Sequence, residues 1–146
     1  FPGANIIVGH CGGPLGYGPY AGKRDEVFGA WKPRIAELAQ CPNVTMKLGG
    51  MMMRLAAYDY RAKPGPPSSA DLASLWRPYI ETCIEAFGAS RCMFESNFPV
   101  DKVSYSYQVF WNACKRLVSG ASPTEKSALF GGTAKRVYRL DALDLA

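Results

Sequence analysis

The chain has 146 residues, of which 48% are hydrophobic and 20% charged, and a formal net charge of +5. That is enough chain for one domain with a real core, in an ordinary globular composition. No apolar run nears the roughly 20 residues that span a bilayer, so no membrane partner is expected. The basic residues, many of them late (Lys115, Arg116, Lys126, Lys135, Arg136, Arg139), are not interleaved with aromatics. Nucleic-acid binding is therefore not expected, and a mild positive balance fits a small anionic substrate better.

The five cysteines, Cys11, Cys41, Cys83, Cys92 and Cys114, contain no C-x-x-C pair. An odd, unpatterned set fits the reduced thiols of a cytoplasmic protein better than a disulfide framework. Cys11 adjoins the single histidine, His10, but neighbouring residues on a strand point to opposite faces, which argues against a Cys–His pair.

In chain order, "ANIIVGH" (4–10) is an apolar, β-branched run that predicts a buried strand. A Gly/Pro loop follows, "CGGPLGYGPYAGK". "RDEVFGAWKPRIAELAQ" places Val27, Trp31, Ile35 and Leu38 at helical spacing, with Pro33 predicting a kink or a start near Lys32. "PNVTMKLGG" predicts a second strand closed by paired glycines, and residues 51–69 a long loop over it. "SADLASLWRPYIETCIEAFG" predicts a helix capped by Ser69, kinked at Pro78 and stopped by Gly88. Residues 91–96 predict the third strand and "SYSYQVFWNACKRLVSG" a helix. "SPTE" is a capping box with Pro123 at the first helical position, and "TAKRVYRL" a last short helix.

The order β-α-β-α-β-α-α, with strands apolar on both faces, predicts an α/β fold with a parallel sheet covered by helices. Three strands cannot close a barrel. They make either a small open sheet or the end of a (β/α)8 barrel. The abrupt start, with no initiator Met, favours the second: residues 1–146 as one partial TIM-barrel domain whose N-terminal strands are missing, inactive by itself.

In such folds catalytic groups collect at the carboxyl ends of strands. By period two, Ile6, Val8 and His10 share a face, as do Thr45, Lys47 and Gly49, and Met93, Glu95 and Asn97. If those faces line a barrel interior, His10, Lys47, Glu95 and Asn97 approach one another. The loop 51–69 over the barrel mouth adds Arg54, Tyr58, Tyr60 and Arg61, and the first loop adds Tyr17, Tyr20, Lys23 and Arg24 at the same face. An arginine clamp on a substrate carboxylate is one use for them.

The motifs in this order resemble the C-terminal part of the amidohydrolase-related family, metal-dependent hydrolases of TIM-barrel fold that include lactonases and decarboxylases. "NIIVGHCGGP" resembles its N/D-H-x-G-x-P strand, "NVTMKLGG" its N-V-x-x-K-L-S-G strand, "RCMFESNFPVDK" its R-x-M-F-G-S-D-W-P strand and "EKSALFGGTAKRVYRL" its closing helices. The resemblance implies that His10 binds a divalent metal such as zinc or polarises the substrate, and that Lys47 lies at the site. Asn97 stands where the family has an aspartate that ligates metal and activates water, and an amide cannot be that base. Glu95 stands where the family has glycine. It faces the same way as position 97, about 7 Å off, so it is the candidate replacement base, with Asp101 second and Asn97 as an orienting group. The first-strand H-x-H or E-x-H pair is absent, and one histidine does not make a zinc site.

The expected activity is hydrolysis of a lactone, or a comparable ester or amide, in a small anionic substrate. The alternatives are decarboxylation or hydration on the same barrel, or a non-catalytic α/β binding module. The sequence leaves the oligomeric state open.

Overall fold

A computed structural model describes residues 1–51 and 65–140. Three strands, β1 (Ile6–Val8), β2 (Val44–Gly49) and β3 (Cys92–Glu95), form one parallel sheet in the order β1-β2-β3. Among the described residues five α-helices follow or separate them: α1 (Arg24–Ala39), α2 (Ser69–Phe87), α3 (Tyr107–Leu117), α4 (Pro123–Ser127) and α5 (Thr133–Val137). A single π-helical stretch, Ala128–Gly132, joins α4 to α5.

Register sorts the two faces of the sheet. Val8 sits beside Met46, Met46 beside Cys92, and Leu48 beside Phe94. This row packs into the core with Leu72, Trp76, Ile80, Cys83 and Phe87 of α2, and with Phe110 and Cys114 of α3. The other row runs Ile7–Thr45, then Lys47–Met93 and Gly49–Glu95. One face of a strand is thus committed to apolar burial, and the alternate residues are left for chemistry.

Helix α1 continues through Pro33, with no late start near Lys32, and α2 continues through Pro78. A proline inside a helix frees the carbonyl four residues earlier. Those are the carbonyls of Gly29 and Ser74, both on exposed residues that can turn them to water. The cap of α2 is Ser68 rather than Ser69: its hydroxyl accepts from the Asp71 N–H while the Asp71 carboxylate accepts from the Ser68 N–H, a capping box. The expected box of Ser122 and Glu125 caps α4 in the same way.

Beneath β3, one side chain ties three elements together. The Arg91 guanidinium donates to the carbonyl oxygens of Ala39 at 2.9 Å, Cys41 at 3.0 Å and Phe87 at 3.1 Å. The carbonyls left over where α1 and α2 end find their donors there. All five cysteines are free thiols, and only Cys41 is exposed. Among the described residues no helix is long and apolar enough to cross a membrane.

Candidate active site

The sheet delivers its polar groups at one end. Strand β1 stops at Val8, whose side chain belongs to the helix-covered row. By strand alternation His10 would follow Val8 onto that same side, away from Lys47. Instead the chain leaves β-geometry: His10 and Cys11 take φ values of 55° and 52°, in a 3-10 turn over His10–Gly12. This left-handed turn carries the imidazole across to the row of Lys47 and Glu95. Cys11 drops into the core, where its carbonyl accepts from Trp31 Nε1 at 2.8 Å. The expected approach of His10 is met, but through the turn and not through period two.

Glu95 ends β3 with its side chain 8% exposed, and it is held from three sides. Oε1 lies 2.6 Å from His10 Nδ1 and accepts the His10 backbone N–H at 2.8 Å. Oε2 accepts from the Lys47 ammonium. A carboxylate oxygen accepts, so Nδ1 is the ring nitrogen that donates to Glu95, and Nε2 is the one that Glu95 does not engage. The imidazole is about a third exposed, at 35%, enough to meet a ligand. Burial works against the Lys47 ammonium, but the hydrogen bond and charge of Glu95 outweigh it and hold Lys47 charged above the usual lysine range. Lys47, expected on the substrate, is matched with Glu95.

The paired glycines, expected only to end β2, make room for this cluster. A Cβ on Gly49 would overlap the Glu95 carbonyl and stand 2.7 Å from its Cγ. A Cβ on Gly50, whose φ is 62°, would run into the imidazole, 2.6 Å from its Cγ. Sequence reasoning missed both roles. The only signal was their doubling immediately after the Lys47 strand.

Asn97 lies beyond the strand whose period predicted a face shared with Glu95. The strand ends at Glu95, and Asn97 takes φ 53° before the cis Phe98–Pro99 bond. Its side-chain amide donates to Asp101 Oδ1 at 2.9 Å, and Asp101 Oδ2 accepts from the Tyr105 hydroxyl at 2.6 Å. Asp101, the second-choice carboxylate, is fully buried. Burial lifts its carboxyl above the usual aspartate range, with the Glu95 carboxylate adding to the rise, against the lowering hydrogen bonds of Tyr105 and Asn97. Tyr105 is a third residue whose role the sequence reading passed over.

Tyr20 ends the 3-10 turn Gly18–Tyr20, is 44% exposed, and shares no hydrogen bond with His10, Lys47 or Glu95. Arg54, Tyr58, Tyr60 and Arg61 lie outside the described residues. Among the described residues no group of three or more His, Cys, Asp or Glu side chains converges on one point. His10 Nε2 is a single ligand, and the carboxylate beside it already carries an ammonium. These residues by themselves do not fit a zinc ion.

Parallel βα units with polar side chains gathered beyond the carboxyl ends of the strands are the layout of a barrel enzyme. The family model for amidohydrolases matches residues 1–140, and the chain belongs to that family. It is 38% identical over 140 residues to the uncharacterized protein y4mH of Sinorhizobium fredii, covering 96% of this chain and 40% of that one. It is 31% identical over 148 residues to the L-fucono-1,5-lactonase of Burkholderia ambifaria, covering 97% and 43%. A crystal structure of a Burkholderia multivorans amidohydrolase with bound zinc superposes with a TM-score of 0.74 at 30% identity, over 91% of this chain and 43% of that one. The fold is therefore a set of βα units from a (β/α)8 barrel. The chain spans about two-fifths of the length of the curated relatives it matches.

Proposed function

We propose that the protein is a lactone hydrolase in which His10, oriented by Glu95, activates water. The observation that carries this reading is the three-way hold on Glu95. With Oε1 taken up twice by His10 and Oε2 facing the Lys47 ammonium, the carboxylate is committed to its protein partners. It serves better as the group that fixes the imidazole tautomer than as the base itself. Nε2 then takes the proton of water as it attacks the lactone carbonyl. When the ring C–O bond breaks, the imidazolium returns that proton to the departing alkoxide. Lys47 provides the counter-charge beside Glu95, and Asn97 orients.

The substrate class we propose is the lactone of a small sugar acid. Support comes from lactonase-named relatives at 31 and 33% identity. The charge of Lys47 is already matched at the site, so a negative charge on the substrate would have to be met by side chains other than Lys47.

Adding L-fucono-1,5-lactone, a dicarboxylate lactone and simple carboxylates to the protein in weak buffer tests the reading. Acid release with sugar lactones is the expected result. Carbon dioxide release from carboxylates would point to decarboxylation, and no turnover with bound ligand to a binding module.

A further inference from the structure

Position 97 carries an amide, and an amide has two ends of opposite polarity that occupy nearly the same space. Its neighbour decides which end faces which way. The group against Asn97 is the Asp101 carboxylate, which accepts and does not donate. The –NH2 of Asn97 must therefore face Asp101. The carbonyl oxygen faces the other way and makes no hydrogen bond to another described residue. Asp101 is itself fixed, fully buried and held from its other oxygen by the Tyr105 hydroxyl. The backbone closes the same loop, with the Asp101 N–H donating to the Asn97 carbonyl at 3.1 Å.

We propose that Asp101 and Tyr105 are positioning residues that lock the Asn97 amide with its carbonyl oxygen outward, as an acceptor for an O–H donor at the carboxyl end of β3. This rests on the hydrolase reading above for what the donor is: the attacking water or a hydroxyl of the substrate. The arrangement also accounts for Asn at 97. An aspartate there would set two carboxylates within hydrogen-bond distance of each other, and both could not ionise.

Asp101→Asn is the informative variant because it keeps shape and changes polarity. The buried Tyr105 hydroxyl needs an acceptor, so the new amide turns its carbonyl to Tyr105 and its –NH2 to Asn97. Asn97 must then flip, and the outward acceptor becomes a donor. Adding Asn97→Asp restores an acceptor to the site and satisfies every group in the chain.

The expected results are a kcat/KM lower by about 100-fold in Asp101→Asn, a melting temperature close to that of the wild type, and recovery of most of the loss in the double variant. A loss in kcat identifies water as the donor; a loss in KM identifies a substrate hydroxyl. In 15N–1H spectra, the Asn97 side-chain pair, assigned by its disappearance in Asn97→Asp, should shift and exchange faster with water in Asp101→Asn. An unmoved pair, or a double variant no better than the single one, overturns the proposal. If Asp101→Asn does not fold, Tyr105→Phe frees Oδ2 and should loosen the same pair; an unchanged exchange rate there is equally fatal. If the wild type turns over no lactone, the proposed reaction falls, and the spectra still decide the orientation of the amide.

Discussion

His10 and Glu95 meet twice across 85 residues of sequence: one carboxylate oxygen lies 2.6 Å from the imidazole Nδ1 and takes the backbone N–H of the same histidine at 2.8 Å. A double hold by one oxygen fixes both the ring and the turn that carries it. The histidine is useful only in the left-handed turn, and the turn is secured by the residue that sets the tautomer.

Glu95→Gln should therefore lower kcat/KM by about 10³-fold with little change in KM, because the amide no longer fixes Nδ1–H and leaves Lys47 without its counter-charge. His10→Gln should cost about as much. The double variant should be scarcely worse than either single one, since the two residues act as a unit. Steady-state kinetics on the three proteins checks this. Wild-type turnover in Glu95→Gln would remove the pair from the mechanism.

Gly50→Ala should disable the site and weaken the fold. The residue sits at φ 62°, where a side chain costs about 1–2 kcal/mol, and its Cβ would collide with the imidazole. A lowered urea midpoint together with lost activity is expected. Full activity would mean that His10 does not sit where the Gly49–Gly50 floor places it.

Lys47 gives the stability an alkaline edge. Its proton is held more tightly in the folded state, because Glu95 outweighs the penalty of burial. The stabilisation is therefore complete below the unfolded value of about 10.4 and is lost as pH rises through the raised folded value. Lys47→Met should remove that part of the pH dependence, seen as a difference between the two proteins in denaturant midpoints above pH 10.

Arg91→Met should unfold the protein more readily, by about 2–4 kcal/mol, since three carbonyls lose charge-assisted donors. Arg91→Lys should recover little, because a point ammonium cannot fork to Ala39, Cys41 and Phe87 together. Chemical denaturation resolves both.

Thiol labelling offers a test of the core. Native protein should react fast only at Cys41, with the other four thiols silent until unfolding. Burial pushes the Cys92 thiol up to about 12 and raises Cys114 as well, which leaves neither with reactive thiolate at neutral pH.

Much of this molecule was legible from local pattern. The strand–helix alternation, the Ser122 cap, the buried face of α1 at Trp31 and Ile35, and the gathering of His10, Lys47 and Glu95 all follow from spacing and residue type. What spacing could not supply begins where periodicity stops. His10 and Asn97 both lie beyond their strands at positive φ, so alternation reached the face of the first by the wrong route and has no hold on the second. Ser68 against Ser69 is a one-residue error in a run of two equal candidates. The roles of Gly49, Gly50 and Tyr105 depend on atoms that the sequence brings near only through the fold.

The four residues of β3 run from a tether to a tool. At the entry, Arg91 gathers the loose ends of two helices; at the exit, Glu95 aims a histidine. The two ends can therefore change at different rates. Variation in the turns after Val8, Gly49 and Glu95 can retune what the protein accepts while the stave stays in register, whereas a change at the tether puts every substrate at risk together. A search for new specificities should randomise around positions 13–20 and 102–104 and leave Asp101 and the Arg91 end alone.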